Sequence, residues 1–153
     1  MNEKIDFIVV GQGLAGTLMA AQLIAAGQKI LVIDDSHRSS SSLVAAGIIN
    51  PITGKRIVKS WLIDELLKSA FVSYKNLEIA LNCELLEQKN IIRTLTDAAD
   101  ENEWISRSVR EELAYFVEKN ANLDGWEAVV RPEFAYSEIL GARVDLPRLL
   151  ATT

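Results

Sequence analysis

The feature that most constrains this chain is a glycine-rich turn that joins a short apolar run to a helical segment near the amino terminus. Residues 5–10 form a largely β-branched, nearly uncharged run, which predicts a strand buried on both faces of a parallel sheet. Gly11, Gly13 and Gly16 follow at the spacing G-x-G-x-x-G. In such a turn the first glycine permits a sharp exit from the strand, the second lets a pyrophosphate approach the backbone, and the third allows close helix–strand packing. The turn therefore predicts a dinucleotide site at the helix N-terminus.

The residues after the turn complete the pattern that this interpretation requires. A helix is predicted over 14–26, ending before Gly27, and a second strand over 29–33. Asp34 then stands 18 residues after Gly16, where an acid accepts hydrogen bonds from the adenosine ribose. An acid at this position argues against a cofactor with a 2′-phosphate. The alternative is a structural βαβ turn without a ligand, and the complete strand, turn, helix and acid favour the dinucleotide.

The glycine motif with its acid occurs in sites for both NAD and FAD, so the next segment has to distinguish the two cofactors. A nicotinamide-binding half would normally continue with another helix and a third parallel strand. Residues 36–54 instead read SHRSSSSLVAAGIINPITG, which is rich in small residues and ends in turn signals. Taken alone, this composition is also typical of a flexible surface loop.

At this point the sequence resembles the D-amino-acid oxidase-like superfamily of FAD-dependent oxidoreductases, which includes glycine oxidase and sarcosine oxidase. The resemblance rests on GQGLAG at 11–16, the pair Asp34 and Asp35, and SSLVAAGIINP at 41–51. Residues 51–60 look most like the flavin-dependent tRNA-uridine-modifying branch. Residues 141–150 resemble the return segment of the superfamily, a strand followed by a helix that opens with Val-Asp-x-x-Arg-Leu.

The resemblance implies FAD as the cofactor and a Rossmann-like α/β fold, a parallel sheet with helices, followed by the start of a substrate-side α+β region. The predicted division is an FAD-binding portion at 1–82, the start of a substrate region at 83–141, and a return to the first domain at 142–153. Small residues at 45–47 would leave room for the flavin ring. The residues expected at the cofactor are Gly11, Gln12, Gly13, Leu14, Ala15, Gly16, Asp34, Asp35, Ser41, Ser42, Ala45, Ala46 and Gly47, with Lys55 and Arg56 as substrate candidates.

Composition narrows the classes of protein that this chain can belong to. With 49% apolar and 24% charged residues, no apolar run near the length of a membrane span and no signal-peptide layout, the sequence predicts a soluble cytoplasmic protein. The single cysteine, Cys83, excludes an internal disulfide, and the single histidine, His37, has no partners for a metal site. The net charge of −5 does not indicate the excess of basic residues that is typical of a nucleic-acid-binding protein. A basic cluster at Lys55, Arg56 and Lys59 could meet an anionic substrate or RNA, or be a solvated loop edge.

The rest of the chain gives coarser predictions. A long amphipathic helix is predicted over 60–81 with Ser60 as its N-cap, a strand over 84–94, two short helices over 97–119, and extended segments over 128–136 and 137–144. Superfamily members are more than twice as long, so the chain resembles an amino-terminal portion: a truncated product, half of a split gene, or a small domain of its own.

Three functions follow from these observations. The first is oxidation of a C–N bond of an amino acid or amine by hydride transfer to flavin, with no catalytic acid or base identified. The second is a non-catalytic dinucleotide-binding fragment that needs a missing C-terminal half or partner subunit. The third is flavin-dependent modification of a tRNA wobble uridine, which only the basic cluster and the likeness around it support.

Overall fold

The structure is a computed structural model that describes residues 4–35, 40–54, 57–118, 125–126 and 136–153. These residues form two compact units that interleave along the sequence. The first unit comprises Met1–Gly47, Ser69–Leu86 and Val144–Thr153, and the second comprises Ile48–Lys68 and Glu87–Arg143. The predicted division at residues 82 and 141 stays a prediction.

The first unit begins with the predicted βαβ arrangement. Strand β1 (Phe7–Val10) pairs in parallel with β2 (Ile30–Ile33), and helix α1 (Leu14–Ala25) connects them. Helix α1 ends at Ala25 with Ala26 as its C-cap, and Gly27 follows with φ of 74°, a left-handed conformation that glycine adopts without strain. The Rossmann-like α/β class is therefore confirmed, as are the positions of these three elements.

Three further helices complete the first unit. They are α2 (Ser41–Val44), the part of α3 (Ile63–Leu81) from Ser69 onward, and α5 (Leu146–Thr152). Asp145 caps α5 by accepting a hydrogen bond from the Arg148 N–H at 3.0 Å, as expected for a carboxylate at an N-cap. The predicted return segment, a strand followed by a capped helix, is thus present. The buried apolar residues of this unit are Tyr74, Leu77, Leu85, Val144, Leu146 and Leu149.

The prediction that the first strand is buried on both faces is wrong. In the register of β1 and β2, Ile8 lies beside Leu31 and Val10 beside Ile33. These four side chains share one face of the sheet and are 61%, 45%, 80% and 49% exposed, respectively. Helix α1 covers the opposite face, and no described element of the first unit covers this one. Such an apolar run is expected of a strand with helices on both faces of its sheet. Among the described residues of the first unit, only α1 covers it.

The second unit is built from short strands around a compact apolar core. Its strands are β3 (Ile48–Ile49), β4 (Ile52–Thr53), β5 (Val58–Lys59), β6 (Leu86–Gln88), β7 (Ile91–Thr94), β8 (Tyr136–Ile139) and β9 (Ala142–Val144). β3 pairs antiparallel with β9, β4 with β5, and β7 with β8, and the sheet that contains β9 has the order β3-β9-β6. Helix α4 (Ala98–Ser108) is capped by Asp97. The core contains Ile52, Ile57, Leu95, Trp104, Leu113, Phe116 and Ile139.

Several coarse predictions for this part of the chain need correction. Ser60 does not cap α3: its hydroxyl donates to the Asn50 carbonyl, and the helix begins at Ile63, after Leu62 in a left-handed conformation. The strand predicted over 84–94 is two strands separated by Lys89 and Asn90, and the described residues of the segment, 97–118, hold one helix followed by turns. The extended segment at 137–144 is confirmed as β8 and β9, whereas the one at 128–136 lies outside the described residues except for Tyr136.

Within the described ranges, none of the helices combines the length and apolar character that crossing a bilayer requires.

Candidate dinucleotide site

The glycine-rich turn has the backbone geometry that the sequence predicts. Gly11 adopts φ of 91°, and its N–H donates to the Ile33 carbonyl at 2.8 Å, so the chain leaves β1 while still joined to the end of β2. A Cβ placed on Gly16 would lie 1.8 Å from the Gly11 carbonyl oxygen. No side chain fits at that distance, so the first turn of α1 can approach the strand exit only because residue 16 is glycine. The roles predicted for the first and third glycines are confirmed in geometry.

Asp34 lies against this turn. Its carboxylate accepts a hydrogen bond from the Gln12 N–H at 2.7 Å, across 22 residues of sequence. The acid at the end of β2 and the loop after β1 therefore meet at the carboxyl edge of the two parallel strands, where open α/β sheets bind their ligands. Asp35 follows directly after Asp34.

The N-terminus of α1 is contacted by one of the predicted serines. The Ser42 hydroxyl accepts a hydrogen bond from the Leu14 N–H at 3.1 Å, and a Cβ on Gly13 would lie 3.0 Å from the Ser42 Oγ atom. Gly13 therefore gives room to a side chain of its own protein as well as to an approaching ligand. The first turn of α1 contains no acidic residue, so nothing in it opposes an anion at the positive end of the helix dipole.

The structure identifies one supporting residue that sequence reasoning missed. Thr17 is 3% exposed, and its hydroxyl donates to the Gln12 carbonyl at 3.4 Å, while its N–H donates to the Gly13 carbonyl at 2.9 Å. It thereby ties the middle of the glycine turn to the helix. A threonine at this position of an apolar helix carries no signal that distinguishes it from an ordinary helical residue.

The small residues at 45–47 have a partly different cause from the one predicted. Ala45 and Ala46 are exposed, in agreement with a place beside a ligand. Gly47 adopts φ of 70°, and a Cβ there would lie 2.0 Å from the Val144 carbonyl oxygen, while the Val144 N–H donates to the Gly47 carbonyl at 2.8 Å. Residue 47 is therefore glycine because the backbone of β9 lies against it, and this reason does not depend on a ligand beside Ala45 and Ala46. Ser41 is exposed at the start of α2.

The basic cluster is only partly described. Lys55 and Arg56 lie outside the described residues. The Lys59 ammonium forms an ion pair with the Asp64 carboxylate and lies 5.4 Å from the centroid of the Phe116 ring. Both contacts hold Lys59 within the second unit. The prediction that the cluster contacts substrate or RNA stays untested.

The described residues fit the phosphates and ribose of an adenine dinucleotide. The helix N-terminus presents backbone N–H groups, the glycines add no side chains of their own to the turn, and a carboxylate stands at the adjacent strand end. Together, Gly11, Gln12, Gly13, Leu14, Gly16, Asp34 and Ser42 are brought into one corner of the first unit.

Comparison with known proteins agrees with this site. Residues 6–60 match the family model described as the FAD binding domain. That match covers the glycine turn, Asp34 and the serine-rich segment, and it confirms FAD as the predicted cofactor. No curated protein matches the sequence significantly.

Solved structures with the same fold are longer chains. Glycine oxidase from Bacillus cereus ATCC 14579 superposes with a TM-score of 0.72 at 18% identity, over 97% of this chain and 42% of that one. Iminodiacetate oxidase from Chelativorans sp. BNC1 gives 0.62 at 22%, over 95% and 42%. L-Amino acid deaminase from Proteus myxofaciens gives 0.69 at 13%, over 99% and 36%. These identities establish a shared fold, which confirms the resemblance at that level, and the chain spans less than half of each of these proteins.

Proposed function

We propose that this chain is the FAD-binding part of an oxidoreductase that oxidises a C–N bond of an amino acid or amine by hydride transfer to flavin. The observation that carries the proposal is the meeting of the glycine turn, the α1 N-terminus and the Asp34 carboxylate in one corner of the first unit. The FAD family match over the same residues agrees with it. The substrate class is suggested by the names of the structural neighbours, which act on glycine, iminodiacetate and L-amino acids.

In this proposal each element of the site binds a different part of the cofactor. Gly11, Gly13 and Gly16 seat the pyrophosphate against the N–H groups of the first turn of α1. Asp34 accepts hydrogen bonds from the ribose and is already held beside the turn by the Gln12 N–H. The segment that contains Ser41, Ser42 and residues 45–47 flanks the pyrophosphate and the ring.

The chain contributes binding and orientation. Bound FAD supplies the hydride acceptor, and the protein fixes where its reactive ring stands. Amine oxidation by hydride transfer has no obligatory protein base, so the reaction does not require proton transfer by a residue of this site.

The direct test of the binding residues compares two carboxylates at opposite ends of the same strand pair. Asp34 accepts from the Gln12 N–H at the carboxyl end of the strands, and Asp6 accepts from the Lys29 N–H at 3.0 Å at the amino end. Asp34→Ala should weaken FAD binding about 10- to 100-fold, because hydrogen bonds to a charged acceptor are lost. Asp6→Ala removes the same kind of contact away from the site and should leave FAD affinity unchanged. Equal FAD affinity of the two variants, measured by flavin fluorescence titration, would contradict the proposal.

A second candidate function is dinucleotide binding without catalysis. In this case catalysis would require additional polypeptide, from the same protein or from a partner subunit. The exposed apolar face of the parallel sheet favours it, as does the length of the similar structures, because five- to six-stranded sheets covered on both faces are usual for this architecture. Anaerobic addition of a panel of amino acids and amines to the FAD-loaded chain separates the two candidates. Loss of the oxidised-flavin absorbance supports the first, and flavin that stays bound and oxidised supports the second.

A further inference from the structure

The second unit contains a cavity that is separate from the candidate dinucleotide site. Its volume is about 460 Å³, and small-molecule sites in proteins usually measure about 300–1,000 Å³. Helix α4 forms one wall, strand β8 forms a second, and the segment that follows α4 forms a third. All of the residues that line the cavity belong to the described part of the second unit.

Hydrogen bonds within the protein hold these walls together. The Glu118 N–H donates to the Glu138 carbonyl at 3.0 Å, and the Leu140 N–H donates to the Phe116 carbonyl at 2.8 Å, so the third wall runs alongside β8. On the other side, the Arg93 guanidinium of β7, the strand that pairs with β8, forms an ion pair with Asp100 of α4 at 2.6 Å. The cavity is therefore preformed, as ligand sites usually are.

Two serine hydroxyls belong to the lining. Ser108 donates to the Ile105 carbonyl and Ser137 donates to the Arg93 carbonyl, each at 3.5 Å, which is the outer limit for a hydrogen bond. Ser137 is only 1% exposed. A hydroxyl that donates weakly still has two lone pairs with which it can accept. Both serines can therefore accept a hydrogen bond from the N–H group of a ligand.

The charged and aromatic residues of the lining favour a cation over an anion. Glu118 and Glu138 line the cavity, and none of the described lining residues is basic. Both carboxylates have partners within the protein, such as the Asn90 amide at 2.6 Å from Glu138, and they contribute the sign of the local charge. Trp104, which is 8% exposed, adds an indole, the aromatic group that interacts best with organic cations.

We propose that this cavity binds a small organic amine in its protonated form. The ammonium group donates to the Ser108 and Ser137 hydroxyls, and the apolar body of the amine packs against Trp104 and Val117. The site does not depend on the proposed function, because neither FAD nor the glycine turn contributes to it. A chain that binds no FAD would leave the amine site intact, and a chain that binds no amine would leave the FAD site intact.

Calorimetric titration of the whole chain with three amines tests the proposal. The probes are benzylamine, 2-phenylethylamine and isoamylamine, all protonated at pH 7, and each is compared with the alcohol of the same carbon skeleton. At least one amine should bind saturably, and about ten-fold more tightly than its alcohol, because a charged donor forms the stronger hydrogen bond. The proposal is overturned if none of the amines saturates by about 10 mM, or if the alcohols bind as tightly as the amines.

Two serines of α4 provide a matched pair of variants. Ser106 donates to the Glu103 carbonyl at 3.1 Å, just as Ser108 donates three residues back to Ile105, but of the two only Ser108 lines the cavity. Ser108→Ala should weaken amine binding about 3- to 10-fold through the loss of one hydrogen bond, and Ser106→Ala should leave it unchanged. Equal affinity of the two variants would overturn the proposal. The comparison of amine with alcohol on the unsubstituted chain stands even if a variant fails to fold.

Discussion

At the scale of single residues, the glycines of this chain are required for three separate physical reasons. Gly11 supplies a positive φ, Gly16 removes a side chain that would collide with the Gly11 carbonyl, and Gly47 makes room for the Val144 carbonyl. The motif spacing predicts the first two. The third depends on a strand nearly 100 residues away in sequence, so local pattern reasoning assigned it to the flavin instead.

Alanine substitutions at Gly16 and Gly27 distinguish the cost of a steric clash from the cost of an unfavourable backbone conformation. The added Cβ meets a backbone oxygen at 1.8 Å, which cannot move aside as a side chain would, so Gly16→Ala should cost about 2–3 kcal/mol of unfolding free energy. Gly27→Ala is the comparison, because Gly27 has open space around it and φ of 74°. It should cost only about 1 kcal/mol, from conformation alone. Urea denaturation of both variants checks the ranking, and a Gly16→Ala protein as stable as Gly27→Ala would show that the turn is not packed as described.

Glu78 gives a residue-scale prediction of pH dependence. Its carboxylate accepts from the Leu85 and Leu86 N–H groups at 2.8 and 2.9 Å and from the Lys75 ammonium at 3.1 Å. The two backbone hydrogen bonds, to Leu86 and Leu85, lower the pKa of Glu78 to about 2. The folded-state pKa thus lies below the ordinary value of 4.5, so the stabilisation is fully present above pH 4.5 and is lost as the pH falls towards 2.

Glu78→Gln should therefore destabilise the protein at pH 7 by about 1–2 kcal/mol, since the charge-assisted bonds become neutral ones. The difference from the unsubstituted chain should shrink between pH 4.5 and pH 2. Denaturation curves at pH 7 and pH 2.5 measure it, and a difference independent of pH would mean that the carboxylate charge does not hold this turn.

At the scale of elements, helix ends were predictable where a capping residue acts locally. The ends of α1 and α5 follow from Gly27 and Asp145, whose conformations and hydrogen bonds are decided within a few residues. The start of α3 was not predictable in this way, because the Ser60 hydroxyl donates to the carbonyl of Asn50, which lies between β3 and β4. Tertiary contacts decide such positions, and a local pattern does not contain them.

The two faces of β1 provide an element-scale prediction. Val10 is 80% exposed, whereas the Val9 side chain points towards α1, 3.5 Å from the position of a Cβ on Gly16. Val10→Thr should change stability by no more than about 0.5 kcal/mol, and Val9→Thr should cost about 1–2 kcal/mol by placing a hydroxyl against the helix. A comparable loss in both variants, measured by thermal or urea unfolding, would mean that the outer face of the sheet is covered in solution.

At the scale of the whole molecule, the sequence predicted the fold class and the dinucleotide corner because both depend on a contiguous motif of about 30 residues. The burial of the strands could not be read in this way. The apolar run of β1 is typical of a strand that is covered on both faces, whereas among the described residues of the first unit only α1 covers it, on one face. The apolar pattern of a strand indicates the burial to which its side chains are suited. It does not indicate which helices or strands cover them in this chain.

The most direct measurement is a crystal structure of the chain with FAD bound. The prediction is a pyrophosphate oxygen within hydrogen-bond distance of an N–H in the first turn of α1, and the adenosine ribose within reach of the Asp34 carboxylate. A cofactor bound elsewhere, or no pyrophosphate at this corner in crystals saturated with FAD, would contradict the assignment of this corner as the flavin nucleotide site.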